Sequence, residues 1–172
     1  MPPVYKGLPF ICMTNHNHRN ADLDELPGFH IRRLQQIAVA LFLQETERMG
    51  ITPVQYAALQ GIANAPHLDQ RSLAQSIGLD TSTTASVLNR LEARGWIRRS
   101  ISPSDKRVKL LTLTTSGQSE LAAVLPAMHR AQQRILEPLS AMEAEEFKRL
   151  LRVLVTANNA LSRAPSAHPP DV

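Results

Sequence analysis

A chain of 172 residues suits one domain of ordinary size, and its 43% apolar and only 4% aromatic content favours helices packed through Leu, Ala, Ile and Val over an all-β sandwich. The net charge of +4 and pI near 9.7 are basic without being extreme. No stretch approaches the roughly 18 uninterrupted apolar residues of a membrane span, and the single cysteine, Cys12, excludes an intrachain disulfide.

Residues 1–25 are polar and irregular, with NHNHRN at 15–20, and read as a flexible arm. The opening MPPVYKGLPFICM lacks a small-residue cleavage site and makes a poor signal peptide, so a cytoplasmic protein is expected. His16 and His18 have no cysteine or carboxylate at ligand spacing, and neither a metal nor a cofactor is expected. Ile31, Leu34, Ala38 and Leu41 recur at helical spacing and predict a helix over 28–48, closed by Gly50. Thr52-Pro53-Val54-Gln55 is a capping box with proline in the first turn, which predicts a helix over 53–65. A short helix follows Asp69, carries Leu73, Ala74 and Ile77, and stops at Gly78. The next opens at Asp80 or Thr81, turns Ala85, Leu88 and Leu91 inward, and ends at Gly95.

Residues 96–101 and 107–113 are β-rich, with a short charged loop between them, and predict a hairpin. Thr115 and Gln118 read as a second capping box opening a helix to 137, which Pro126 is expected to bend. Ser140 and Glu143 form a third box, behind which Phe147, Leu150, Leu151, Leu154, Asn158 and Leu161 mark a last helix to 163. The terminal APSAHPPDV reads as a disordered tail over 164–172. The expected fold is mainly α with a small β-hairpin. One subunit's core is too small to cover the long outer helices, so a homodimer built from helices of both ends is expected.

The charge is concentrated. Between residues 68 and 110, Arg71, Arg90, Arg94, Arg98, Arg99, Lys106, Arg107 and Lys109 face only Asp69, Asp80, Glu92 and Asp105, and the rest of the chain balances. A local basic excess is how a nucleic-acid face looks. Within it, QRSLAQSIGLDTSTTASVLNRLEARGWI (70–97) reads as two helices joined by a tight turn at Gly78, a helix-turn-helix. The first turn of its second helix is Thr81-Ser82-Thr83-Thr84. One hydroxyl caps a helix; four in a row suit an exposed turn that meets phosphates and base edges. Ser86, Asn89 and Arg90 extend the strip, Asn89 as a partner for adenine and Arg90 for guanine or phosphate. Arg94, Arg98 and Arg99 read equally as a solvated basic surface, and Trp96 as core packing rather than a stacking platform.

The stretch from this helix-turn-helix through SPSDKRVKLLTLTTSG (102–117) resembles the MarR family of bacterial winged-helix regulators, through Asp105-Lys106-Arg107, Leu113-Thr114-Thr115-Ser116-Gly117 and LEARGWI at 91–97. The resemblance covers residues 28–160. It implies a two-fold dimer on pseudo-palindromic double-stranded DNA, with dimerisation helices at 26–50 and 115–163 and a winged helix-turn-helix domain at 51–114. It also implies recognition helices in successive major grooves, Arg107 in the minor groove, and Asp105 orienting it or a neighbouring arginine. Lys106 shares that groove or touches phosphate.

MarR-like proteins often bind small phenolic or carboxylated ligands between dimer helices and winged domain. By that resemblance, His30, Arg33 and Tyr56 are candidates to hold an aromatic carboxylate, and 26–42 looks like members controlling aromatic-acid breakdown. A repressor released by such an effector is expected. The alternatives are a thiol-sensing regulator, for which Cys12 lies too far before the first helix, and a regulator without a small-molecule ligand. No catalytic motif is visible in the sequence, so an enzyme is not expected.

Overall fold

The computed structural model describes residues 22–162, in two compact units that meet after Gln35. Cys12, His16, His18 and the predicted tail lie outside the described residues. Helix α1 (Pro27–Glu45) runs from the first unit into the second.

In the first unit, the end of the expected arm is not irregular. Leu23–Glu25 form a 3-10 turn, capped where Asp22 accepts a hydrogen bond from the Asp24 amide at 3.1 Å. Leu23, Leu26 and Ile31 are exposed.

In the second unit, α1 ends at Glu45 rather than at 48. Thr46 is buried and turns its hydroxyl back to the Phe42 carbonyl at 2.8 Å, and a separate 3-10 turn follows over Glu47–Met49. Glu45 receives Arg130 Nε at 2.8 Å and Arg134 Nη1 at 3.0 Å, and these two partners hold its carboxyl below the usual range. Helix α2 (Pro53–Asn64) starts at the predicted box, with Thr52 and Gln55 capping each other reciprocally. Helices α3 (Gln70–Ser76) and α4 (Thr81–Ala93) follow, each opened by an aspartate cap, Asp69 and Asp80. Leu59, Ile62, Leu73, Leu88, Leu91, Leu111 and Val124 form the core where α2, α3, α4, the hairpin and α5 meet.

Strands β1 (Ile97–Ile101) and β2 (Lys109–Leu113) pair antiparallel, Ile97 opposite Leu113 and Ile101 opposite Lys109. The sequence reading missed a third contributor. Residues 67–69 pair with β2: the His67 amide donates to Leu111 O and the Leu111 amide to Leu68 O, both at 2.9 Å. This addition matters because two five-residue strands alone are marginal in water.

Helix α5 (Thr115–Leu136) is capped by Thr114, not Thr115 as predicted. Thr114 accepts from the Gly117 amide at 3.0 Å and donates its hydroxyl to Gly95 O at 2.6 Å, so one residue closes the hairpin and opens the helix. Gly117 is required here by space: a Cβ would lie 1.9 Å from the Trp96 carbonyl oxygen. The helix runs through Pro126. Helix α6 (Ala141–Ala157), opened by the Ser140–Glu143 capping box, stops short of 163, and a 3-10 turn takes over at Asn159–Leu161. None of its side chains is buried, and Leu150, Leu151, Leu154 and Val155 stand exposed along it. Among the described residues no helix is long and apolar enough to cross a membrane.

Candidate nucleic-acid interface

The turn between α3 and α4 is tight because Gly78 takes a left-handed conformation, φ +67°, and the Leu79 amide returns to Ala74 O at 2.9 Å. Ala74 and Leu73 are buried, so α3 lies close against its neighbours and presents the start of α4 outward.

That start is organised by Asp80. Its carboxylate accepts from the Ser82 hydroxyl at 2.6 Å, the Thr83 amide at 2.8 Å and the Thr83 hydroxyl at 2.7 Å. These bonds, the Ser82 hydroxyl foremost, hold the Asp80 carboxyl far below its ordinary value. Thr81, Ser82 and Thr83 are exposed, and the Thr81 carbonyl accepts from Gln70 Nε2 at 3.3 Å. Thr84 corrects the sequence reading. It is fully buried, with its hydroxyl donated to Asp80 O at 2.8 Å, and a side chain without surface cannot meet DNA. Ser86, Asn89 and Arg90 are exposed farther along α4.

The wing tip is likewise ordered by an aspartate. Asp105 accepts from the Arg107 amide at 2.9 Å and from its Nε and Nη2 at 3.2 Å each. The Arg107 side chain remains 91% exposed, so its fork is held in place while facing solvent. The Arg107 guanidinium keeps the Asp105 carboxyl below its ordinary value. Lys106 is exposed beside it. At the root of the loop, Ser102 is buried; its amide donates to Val108 O at 2.9 Å, and its hydroxyl lies 2.9 Å from that of Ser104.

Two cations that were not singled out from sequence join this surface. Arg71, at the start of α3, and Lys109, at the start of β2, line a groove of about 300 Å³ with Arg107. Their part in the local charge excess was visible in sequence; their convergence needed the pairing of 67–69 with β2. Arg99 also departs from the expected solvated surface. Its side chain is only 17% exposed, lying against α4, where Nη2 donates to Asn89 Oδ1 at 2.7 Å. Its Nε lies 3.4 Å from Glu92 Oε2, within ion-pair reach, but is not aimed for a hydrogen bond. Arg94 stacks over Trp96 at 4.5 Å, and Trp96 packs against the core as expected.

Of the candidate effector residues, His30 and Arg33 gather around Phe29: His30 meets it edge-on at 5.9 Å and Arg33 lies over it at 5.6 Å. His30 Nε2 also lies 2.6 Å from Asp24 O. Tyr56, in the second unit, packs against Phe42 and donates its hydroxyl to Gln60 at 3.3 Å, and burial raises its pKa. Gln60 in turn lines a cavity of about 490 Å³ between α2, β2 and α5, whose walls are mostly apolar and include Leu121, Leu125 and Gln118. Among the described residues no cluster of His, Cys, Asp or Glu suits a metal ion.

A model described as the MarR family matches residues 51–109. The chain is 38% identical over 144 residues to a putative transcriptional regulatory protein for the hcr operon of Thauera aromatica, covering 78% of this chain and 87% of that one. Among solved structures it is similar to the PcaV transcriptional regulator of Streptomyces coelicolor in complex with its natural ligand, with TM-score 0.73 and 36% identity over 81% of this chain and 98% of that one. It is also similar to the transcriptional repressor CouR of Rhodococcus jostii bound to a 23-mer DNA duplex, with TM-score 0.74 and 27% identity over 81% and 99% of the two chains.

Proposed function

Because this chain belongs to the MarR family of DNA-binding transcriptional regulators, we propose that it acts as a homodimeric repressor, held on a pseudo-palindromic operator and released by a small aromatic effector. The observation that carries the DNA half is the wing tip, an almost fully exposed arginine fixed by three hydrogen bonds to one carboxylate. A cation fixed in this way loses little conformational freedom when it enters a narrow groove. Thr81, Ser82, Thr83, Ser86, Asn89 and Arg90 on α4 read the major groove; Arg71, Lys106 and Lys109 hold phosphates.

The dimer half rests on α6. Leu150, Leu151, Leu154 and Val155 stand exposed along it among the described residues, and Ile37 and Leu43 on α1 are also exposed. A second copy burying these faces removes apolar area that one subunit leaves in water. The expected division of labour follows, with α1, α5 and α6 joining the subunits and the segment from α2 to β2 binding DNA.

For the effector, two sets of residues compete. Arg33 supplies a cationic partner for a carboxylate, with His30 three residues before it as a hydrogen-bonding neighbour. The cavity beside Gln60 and Gln118 has the size of a small-molecule site, and Tyr56 supports it through Gln60. The test is a gel shift on the operator, repeated over a salt series and then with aromatic acids and their neutral amides. Salt-sensitive binding with half-sites about one helical turn apart is expected. Release by the acid alone, lost in Arg33→Ala, favours the cationic set; release by acid and amide alike, lost in Gln60→Ala, favours the cavity. No release by either compound removes the effector from the reading, and no binding to any operator removes the rest.

A further inference from the structure

Asn89 stands on the exposed face of α4, where a free asparagine pairs with adenine by accepting from N6 and donating to N7 with one edge of its amide. That pairing needs Oδ1 and Nδ2 turned together toward the base. Here Oδ1 is turned toward β1, to a guanidinium donor at 2.7 Å. The assignment of oxygen to that position is forced by chemistry, because an arginine only donates. Arg99 is itself held: its side chain is largely buried, and Glu92 lies 3.4 Å from Nε, one turn along α4 from Asn89. The charge-assisted bond from Arg99 is stronger than the neutral bond adenine N6 offers, and it leaves the remaining lone pair of Oδ1 a weaker acceptor for a second donor.

Resting on the reading of α4 as the recognition helix, we infer that Arg99 is a positioning residue that converts Asn89 from a reader of adenine into a donor-only reader of guanine. The amide is left with its two N–H donors facing out. Guanine offers two adjacent acceptors, N7 and O6, on its major-groove edge; cytosine offers a donor, and adenine one acceptor beside a donor. A head that only donates is satisfied best by guanine and worst by cytosine. Base choice at one operator position is thereby set by a strand residue that does not touch the base.

The test is selection of binding sites from randomised duplexes by wild type, Asn89→Ala and Arg99→Met. Wild type is expected to select guanine at one position of the half-site, Asn89→Ala to flatten that position, and Arg99→Met to move it toward adenine. Should Arg99→Met fold poorly, wild type alone suffices: 7-deazaguanine, which lacks the N7 acceptor, weakens binding at that position by roughly tenfold, the scale of one good base contact. If Asn89→Ala flattens a position at which wild type already selects adenine, or if Arg99→Met or 7-deazaguanine changes nothing there, the clamp is overturned while the recognition helix stands. If Asn89→Ala leaves every position unchanged, the placement of α4 fails instead.

Discussion

Replacing Gly117 by alanine tests how the wing is joined to the helix behind it. The added carbon would sit 1.9 Å from the Trp96 carbonyl oxygen, 2.8 Å from its carbon and 3.1 Å from its Cα. Carbon–oxygen contacts ordinarily begin near about 3.3 Å, so backbone must retreat by more than an ångström, and no flexible side chain is there to give way. Forced overpacking costs about 1–3 kcal/mol. The same carbonyl accepts from the Thr114 amide at 3.0 Å, and the Thr114 hydroxyl holds Gly95 O; loosening these bonds adds about 1 kcal/mol. The expected loss is about 2–4 kcal/mol, read as a lower urea midpoint at unchanged m-value and fixed protein concentration. Gly28→Ala is the control, because its added carbon meets nothing within 4 Å and a helix favours alanine. A Gly117→Ala protein within about 0.5 kcal/mol of wild type would refute the close-packed junction.

Arg107→Ala is expected to weaken operator binding and lower the salt slope by about one for each wing lost, measured by gel shift across a salt series; an unchanged slope removes the wing from the phosphate and minor-groove account. Thr84→Val should cost about 1 kcal/mol of stability in urea unfolding, through the lost hydroxyl bond to Asp80 O, while leaving base preference untouched; a changed preference would return Thr84 to the interface. Asp80 has a depressed carboxyl pKa, so its contribution to stability is complete above about pH 4 and is lost as pH falls toward the folded-state value. Asp80→Asn keeps a cap without the charge and should flatten the acid limb of a Tm-versus-pH curve below about pH 4; identical limbs would show that the carboxylate bonds do not matter. Leu154→Glu, on the uncovered face of α6, should raise the concentration at which the dimer dissociates in sedimentation, without lowering the helicity of the subunit.

Much of this architecture was legible because its punctuation is local. Thr52 with Gln55, Asp69, Asp80, and Ser140 with Glu143 each name a helix start through side-chain bonds that span three residues or fewer. What escaped depends on residues distant in sequence. The cap of α5 moved from Thr115 to Thr114 because Thr114 also ties to Gly95, nineteen positions away. The strand-like 67–69 segment is too short for any pattern, and its pairing with β2 is what gathers Arg71, Lys109 and Arg107. Arg99 looked like surface because charge alone does not reveal that Asn89 and Glu92 await it on α4. Thr84 was within reach: it stands four residues before Leu88 and seven before Leu91, the spacing of a buried stripe, and the run of hydroxyls around it obscured that period.

Glu45 closes α1 against two arginines one helical turn apart on α5, Arg130 and Arg134. Each oxygen of that carboxylate holds a different arginine. If α5 slides along α1 by half a turn, about 2.7 Å, the carboxylate comes opposite one arginine and moves away from the other. The two contacts are given up one after the other and not together, so the fastening at the end of α1 behaves as a strap with slack in both directions.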